Sequence, residues 1–207
     1  MASTTEHSAL SEASTTTTPS AIITTPTLLI RPYHTGDIPS IAKEANNPLI
    51  SRYMRNQFPN PYTTSDAAAW VDIATSRKPL INFAICHSPS GEYAGGIGLK
   101  TFPADDVEFR TMEIGYWLGE AHWGKGLATQ AVRAFSRWAF EAFPELLRLE
   151  AGVFGPNLAS GRVLEKAGYT LEGRRRNTGC KNGEVFDFVI YGLLREECLA
   201  WGDKNVT

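Results

Sequence analysis

The chain follows two patterns of hydrophobic and polar positions from residue 27 onward. Apolar side chains at every second position predict strands, whereas apolar side chains spaced three and four residues apart predict amphipathic helices. The strands are predicted at 27–31, 81–86, up to 100, 110–118, 147–154, 169–176 and 184–194, and the helices at 37–45, after 63–65, after 124–126 and at 157–167. This order of elements predicts a mixed α/β fold.

A glycine-rich loop, residues 123–129, joins the strand predicted at 110–118 to the longest predicted helix. A helix that begins at such a loop exposes backbone N–H groups without partners, and its dipole adds partial positive charge there. Gly124 and Gly126 let the backbone approach a ligand closely, and Lys125 adds a positive charge. The loop therefore predicts an anion site, most often for phosphate, although Gly-Lys-Gly also occurs in plain surface loops.

The spacing of these glycines excludes two common phosphate loops. Neither Gly-x-x-x-x-Gly-Lys-Ser/Thr nor Gly-x-Gly-x-x-Gly is present at this position. The loop instead resembles the Gln/Arg-x-x-Gly-x-Gly/Ala element with which the GNAT superfamily of N-acetyltransferases binds the pyrophosphate of acetyl-CoA. Gly126 and Ala128 match the small positions. Trp123 replaces the usual Gln or Arg, as is familiar in the branch that resembles the ribosomal-protein N-terminal acetyltransferases.

A second stretch, residues 157–169, resembles that branch's Asn-x-x-Ser-x-x-x-x-x-Lys-x-Gly-Phe/Tyr signature, beginning with Asn157 and Ser160. Asp187 and the apolar run after it resemble the usual ending of the same branch. Two separated motifs in the correct order are more specific than either alone. The chain is therefore identified as resembling the ribosomal-protein N-terminal (alanine/serine) acetyltransferase-like branch of the GNAT superfamily over residues 27–195.

The resemblance implies a GNAT acyltransferase fold, which has a central, mostly antiparallel twisted sheet flanked by helices. The strand before the glycine loop and the strand after the long helix would splay apart into a cleft for acetyl-CoA, the cosubstrate. A primary amine, from a peptide or protein N-terminus or a small molecule, would attack the thioester directly in a ternary complex. The alternatives are a non-catalytic acetyl-CoA-binding sensor and an interaction module.

The resemblance also implies which residues hold acetyl-CoA. The backbone of Tyr116 and Leu118 would pair with the pantetheine arm, and the Leu118 N–H would polarise the acetyl carbonyl. Asn157 and Ser160 would hold the pantetheine or its sulfur end from the other side. The residues around the pyrophosphate would be Trp123, Gly124, Lys125, Gly126, Ala128 and Thr129.

Acyl transfer requires a neutral amine, so a base has to accept the ammonium proton. Glu113 is the first candidate because strand alternation places it on the face of Trp117, and the alternative is a structural carboxylate bound to an arginine or a backbone N–H. Glu150 on the neighbouring predicted strand is the second candidate. Many family members protonate the thiolate with a Tyr at the position of Leu164, so here either Ser160 protonates it or it leaves unassisted.

The remaining histidines and basic residues suggest no second chemistry. His122 is predicted to be an exposed loop histidine without a special role, and the alternative is a contact with a phosphate at the loop. No histidine has a partner at metal or nucleophile spacing, so neither a metal nor an acyl-enzyme is expected. Residues 53–62 either line the acceptor pocket or pack as an ordinary loop. The basic run 174–176 is expected to be a solvated strand end, with an acidic partner or the 3′-phosphate of CoA as the alternative contact.

The composition of the chain suggests the cellular location of the protein and the kinds of partner it binds. The net charge of −2 gives no reason to expect nucleic-acid binding. The widely spaced Cys86, Cys180 and Cys198 indicate free thiols in a reducing compartment, and no apolar run reaches the roughly 18 residues of a membrane span. We therefore expect a cytoplasmic monomer or homodimer without a membrane partner.

The chain is expected to contain one domain with two flanking segments. Residues 1–26 are rich in Ser and Thr and are expected to form a disordered arm. The arm contains no arginine and carries two glutamates, which argues against a mitochondrial presequence. The acetyltransferase domain is predicted at 27–196 and a C-terminal tail at 197–207.

Overall fold

A computed structural model describes residues 18–200 of the protein. The strands in this part of the chain are β1 (Ile23–Thr24), β2 (Leu28–Pro32), β3 (Asn82–His87), β4 (Tyr93–Thr101), β5 (Thr111–Leu118), β6 (Arg148–Phe154), β7 (Thr170–Lys181) and β8 (Glu184–Leu194). The helices are α1 (Ile38–Ala45), α2 (Pro48–Ser51), α3 (Thr64–Ser76), α4 (Leu127–Ala142), α5 (Leu158–Lys166) and α6 (Arg195–Leu199). Every predicted strand and helix is present.

All the strands belong to one sheet, in the order β1-β2-β3-β4-β5-β6-β8-β7. Neighbouring strands are antiparallel except β5 and β6, which are parallel. A parallel neighbour requires a crossover, and α4 provides it between these two strands. The predicted mixed α/β fold with a mostly antiparallel sheet is confirmed.

The two parallel strands pair over only three residues each. Their register runs from Thr111 opposite Arg148 to Glu113 opposite Glu150. Beyond that point β5 stays paired with β4 and β6 stays paired with β8, but β5 and β6 no longer pair with each other. The predicted splayed cleft therefore opens directly after Glu113 and Glu150.

Helices cover both faces of the sheet, and the strands send alternate side chains to each. On one face, α4 contributes its buried apolar stripe to a core that includes Ile114 and Leu118 of β5. On the other face, α1 and α3 pack on a second core, against which Trp117 lies. A capping box fixes the start of α3, because the Asp66 N–H donates to Thr63 Oγ1 and the Thr63 N–H donates to Asp66 Oδ2.

Ordered structure extends past both predicted domain boundaries. Ile23–Thr24 pairs with β2, and the Ile22 N–H donates to the Ile30 carbonyl at 2.8 Å. At the other end, Cys198 is buried on α6 against the core. Residues 18–26 and 197–200 thus carry structure, while the rest of the predicted arm and tail lies outside the described residues.

The last hairpin is longer than predicted. β7 continues to Lys181, and its turn consists of Asn182 and Gly183, whose φ angles of 52° and 82° suit a tight hairpin turn. Cys180 therefore lies in a strand rather than in a turn. The basic run 174–176 also lies within β7 and not at a strand end, and Arg174 forms an ion pair with Asp187 of β8 at 3.1 Å.

Candidate active site

A cleft of about 990 Å³ passes through the gap between β5 and β6. The loop before α4 and the first turns of α5 line one side, and residues 52–62 line the other side together with Glu113 and Trp117. This volume lies at the upper end of the range typical of ligand pockets. The cleft thus extends from the N-terminus of α4 on one side to the Glu113 carboxylate on the other.

The glycine loop presents open backbone at the N-terminus of α4. Gly124 and Gly126 have φ angles of 72° and 78°, a left-handed conformation that glycine adopts without strain. Gly126 immediately precedes the helix, and no side chain caps the first backbone N–H groups. A Cβ atom at Gly124 would meet nothing within 4 Å. The loop can therefore bring unpaired N–H groups close to an anion.

Trp123 connects this loop to the end of β5. Its indole Nε1–H donates to the Leu118 carbonyl at 2.8 Å. The neighbouring Gly119 N–H donates to the Ala94 carbonyl of β4, so the polar groups of Leu118 point away from β4 and toward the gap. Trp123 therefore has a structural role that the family's usual Gln or Arg at this position did not suggest.

The side chain of Tyr116 crosses the gap and contacts α5. Its hydroxyl lies 2.9 Å from Ser160 Oγ and donates to the Ser160 carbonyl at 3.2 Å. Burial raises the pKa of Tyr116, so the phenol stays protonated. The sequence indicated only a backbone role for Tyr116, because strand periodicity cannot show which side chain reaches a helix far along the chain.

Two other residues near Ser160 have structural roles. Asn157 is the N-cap of α5, where its Oδ1 accepts from the Ser160 N–H at 3.2 Å. Leu164, which replaces the family's tyrosine, is fully buried in the core. Ser160 lies one helical turn before Leu164 on α5, so the Tyr116–Ser160 pair places two hydroxyls in the cleft close to this position in the sequence.

Glu113 lies at the point where the cleft opens, and both of its oxygens contact a cation. Arg55 Nη2 donates to Oε1, and Lys100 Nζ lies 3.5 Å from Oε2. Glu150, its register partner, is not among the cleft-lining residues and lies 3.5 Å from Arg148. Glu113 thus faces the cleft and also binds an arginine, and its role as a base stays a prediction.

Residues 52–62 pack on the same face of the sheet as Glu113. The Phe58 ring lies 5.9 Å from the Trp117 ring and 4.8 Å from the Tyr62 ring. Lys181, near the tip of the last hairpin, donates to the carbonyls of Ser51 and Met54. This segment both packs as a loop and lines the cleft, so the two alternatives from the sequence do not exclude each other.

A family model for the acetyltransferase (GNAT) domain matches residues 27–170. The chain belongs to the GNAT acetyltransferase family. The prediction of an acyltransferase is therefore confirmed.

Individual relatives agree with this assignment. The probable N-acetyltransferase YjcK of Bacillus subtilis (strain 168) is 44% identical over 88 residues, which are 42% of this chain and 48% of YjcK. The ribosomal-protein-serine acetyltransferase of Escherichia coli (strain K12) is 32% identical over 98 residues, which are 47% of this chain and 54% of that protein. The matches thus span about half the length of these two relatives.

A solved structure supports the fold. RimL, a ribosomal L7/L12 alpha-N-protein acetyltransferase in complex with coenzyme A, superposes with a TM-score of 0.73 and 19% identity, covering 84% of this chain and 98% of RimL. At this identity the likeness supports the GNAT fold alone. The E. coli relative agrees with the predicted resemblance to the ribosomal-protein acetyltransferase branch.

The prediction for His122 was wrong, because this GNAT chain buries the residue. Only 5% of His122 is exposed, and its Nδ1 lies 2.9 Å from Nε2 of His87 on β3. Its Nε2 lies 3.9 Å from Glu44 of α1. The histidine pair therefore anchors the residue directly before the glycine loop to β3. The sequence did not suggest this contact, because His87 lies 35 residues earlier.

Burial is the main cause that lowers the pKa of His122 from its ordinary 6.5, and Glu44 partly opposes it. The unfolded chain therefore binds a proton at a higher pH than the folded chain does, so the contribution of His122 to stability is complete above about pH 6.5 and declines as the pH falls below it. We expect the free energy of unfolding to fall between about pH 7.5 and pH 5.5, and to fall less in His122→Asn. Urea unfolding at both pH values measures this, and equal declines in the two proteins would contradict it.

Within residues 18–200, no group of three His, Cys, Asp or Glu side chains is arranged to bind a metal ion. Among the helices of the same residues, none is long and apolar enough to cross a membrane. The three cysteines are free thiols, with Cys180 exposed and the other two buried.

Proposed function

We propose that this GNAT protein transfers an acetyl group from acetyl-CoA to a primary amine of a peptide or protein N-terminus or of a small molecule, by direct attack in a ternary complex. Acetyl-CoA-dependent acetyl transfer is the chemistry of the family. The observation that carries the proposal is the continuous cleft, which has an open helix N-terminus on one side and the Glu113 carboxylate on the other. Such a cleft holds a phosphorylated donor and an amine at the same time.

The residues at the cleft fit the phosphorylated part of acetyl-CoA. The pyrophosphate would lie at the N-terminus of α4, where backbone N–H groups and the helix dipole favour an anion. The pantetheine arm would run along the unpaired edge of β5, where the polar groups of Leu118 face the gap. Asn157 and Ser160 would contact the arm from α5. The remaining loop contacts would come from Trp123, Gly124, Lys125, Gly126, Ala128 and Thr129.

The chemistry can be assigned to three groups of this chain. The Leu118 N–H would donate to the acetyl carbonyl oxygen, where negative charge develops as the amine nitrogen attacks the carbon. Glu113 would accept a proton from the amine, directly or through water. As the C–S bond breaks, Ser160 would donate a proton to the sulfur, with Tyr116 holding its hydroxyl in place. The C–N bond forms as the C–S bond breaks, and the second proton that the nitrogen loses passes to Ser160, directly or through water, which restores the hydroxyl while the thiol leaves protonated.

Removing either hydroxyl of the Tyr116–Ser160 pair should slow turnover. We expect Tyr116→Phe and Ser160→Ala to lower kcat by about 10- to 100-fold, because a positioned proton donor contributes about that much or more. Acetyl-CoA affinity should change little in Tyr116→Phe, since the loop and Ser160 stay intact, and should fall modestly in Ser160→Ala, which removes one contact with the arm. Steady-state thiol-release kinetics, with calorimetric affinities, measure both quantities.

A second tyrosine–serine pair provides the control. Tyr169 Oη lies 2.8 Å from Ser136 Oγ in the core, outside the cleft. Tyr169→Phe removes the same kind of hydrogen bond and is expected to lower stability by about 1 kcal/mol while keeping kcat. If Tyr116→Phe were as active as Tyr169→Phe, the proposed proton path would be wrong.

The function is tested by calorimetric titration with acetyl-CoA, followed by thiol release over peptide N-termini, polyamines and amino acids. Binding with turnover on a subset of amines supports the enzyme. Binding without turnover on any amine favours the sensor alternative, and absence of binding favours the interaction module. The cytoplasmic location and the monomeric or homodimeric state stay predictions.

A further inference from the structure

The acceptor side of the cleft is positively charged, although the whole chain carries a net charge of −2. Arg52, Arg55 and Lys100 line this part of the cleft, where the carboxylates are Glu113 and Asp66. Asp66 is engaged in the capping box of α3. Glu113 is therefore the carboxylate at this mouth that can meet an incoming amine.

Arg55 occupies the position that the acceptor amine needs. Its guanidinium donates to Glu113 Oε1, while Lys100 lies at Oε2. The Arg55 and Lys100 side chains are 58% and 65% exposed, whereas that of Glu113 is 16% exposed. Two accessible cations thus screen one sheltered carboxylate. An ammonium group that approaches alone meets net positive charge and has to displace Arg55.

An acceptor with its own carboxylate avoids this difficulty. The guanidinium can exchange the Glu113 carboxylate for the carboxylate of the acceptor, and the two charge-assisted contacts are of the same kind. Glu113 is then released to contact the ammonium and accept its proton. Arg55 keeps one ion pair through the exchange, so an acceptor of this class frees the base without leaving the guanidinium unpaired.

Contacts with Lys181 and Trp117 anchor the segment that carries Arg55. Lys181 donates to the carbonyls of Ser51 and Met54, which flank Arg52 and precede Arg55. Phe58 packs on Trp117 at the other end of the segment. Arg55 therefore extends from an anchored stretch of backbone, which leaves its exposed side chain free to exchange partners above Glu113.

We propose that the acceptor is an amine with a carboxylate close to the reacting nitrogen, and that Arg55 recognises this carboxylate, a specificity that rests on the proposed function. Both an N-terminal peptide with an acidic second residue and a free amino dicarboxylic acid have this chemistry. Lys100 supports the recognition by holding the second oxygen of Glu113. The ammonium then contacts Glu113 while the carboxylate contacts Arg55.

The test compares thiol release with peptides that differ only at the second residue. The peptides begin Ala-Asp, Ala-Asn or Ala-Lys, and free aspartate separates the small-molecule source from the peptide source. We expect the wild-type protein to favour Ala-Asp over its neutral isostere Ala-Asn by about tenfold in kcat/KM, a ratio that corresponds to about 1.4 kcal/mol. Added salt should reduce this ratio.

Charge reversal identifies the residue that recognises the carboxylate. Arg55→Glu should remove the preference for Ala-Asp and favour Ala-Lys, while Arg55→Lys should retain part of it. Arg137→Glu is the matched control, because Arg137 forms an exposed ion pair with Glu141 within α4, away from the cleft lining. Equal use of Ala-Asp and Ala-Asn by the wild type, or an unchanged preference in Arg55→Glu, overturns the inference but leaves the proposed function intact. Failure to acetylate any acceptor overturns the proposed function itself.

Discussion

Replacing Gly126 with valine is expected to abolish acetyl-CoA binding while the fold is retained. Gly126 has a φ of 78° directly before α4, and a Cβ atom built on it meets only the Gln130 side chain, at 4.0 Å. The valine would therefore cause no internal clash, but it would occupy the open space beside the unpaired N–H groups that the pyrophosphate needs. Calorimetry should show at least about a 100-fold loss of affinity, since several charge-assisted hydrogen bonds are lost together.

Gly91 offers a control for the strain that valine introduces. Its φ is 75°, and a Cβ atom there meets nothing within 4 Å, yet it lies in the turn between β3 and β4. Both substitutions place a side chain in the left-handed region at a similar cost of about 1–2 kcal/mol. Gly91→Val should therefore lose a similar amount of stability and keep its affinity for acetyl-CoA. If Gly126→Val also bound normally, the pyrophosphate would have to lie elsewhere.

The substitution Glu113→Gln is expected to lower kcat by about 10²- to 10⁴-fold, the usual contribution of a general base. Glutamine keeps the shape of the side chain and removes its capacity to accept the proton. Acetyl-CoA affinity should be unchanged, because Glu113 lies on the acceptor side of the cleft, away from the glycine loop. Single-turnover thiol release with acetyl-CoA bound in advance separates the chemical step from binding.

Glu150→Gln is the matched control for this substitution. Glu150 lies opposite Glu113 in the sheet register, but its carboxylate lies near Arg148, whose guanidinium also binds Glu172 at 2.5 Å. We expect Glu150→Gln to keep most of its activity. The reverse result, with Glu113→Gln active and Glu150→Gln inactive, would transfer the role of base to Glu150.

The sequence predicted the strands and the helices because these depend on local patterns, and the cleft followed from the resemblance to the GNAT superfamily. The apolar stripe of α4 follows from its helical spacing, and the alternation of β5 correctly placed Glu113 and Trp117 on one face. The glycine loop was recognisable because its two glycines and the start of α4 are adjacent in sequence. Signals of this kind occupy a few consecutive residues and are read without knowledge of the tertiary fold.

The partners of these residues could not be predicted, because each one comes from a distant part of the chain. Arg55 lies 58 residues before Glu113, and His87 lies 35 residues before His122. The contact of Tyr116 with Ser160 joins residues 44 positions apart across the gap. No periodicity links residues at such separations. The sequence therefore did not predict that His122 is buried or that the Tyr116 hydroxyl contacts Ser160.

The contact of Lys181 with the carbonyls of Ser51 and Met54 has a consequence for engineering this enzyme. It joins residues 130 and 127 positions apart, so the segment that lines the cleft beside Glu113 is supported by the tip of the last hairpin. A graft that moves residues 52–62 of this chain into a relative would separate that segment from its support. We therefore expect the segment to keep its conformation in such a graft only when the tip of the hairpin moves with it.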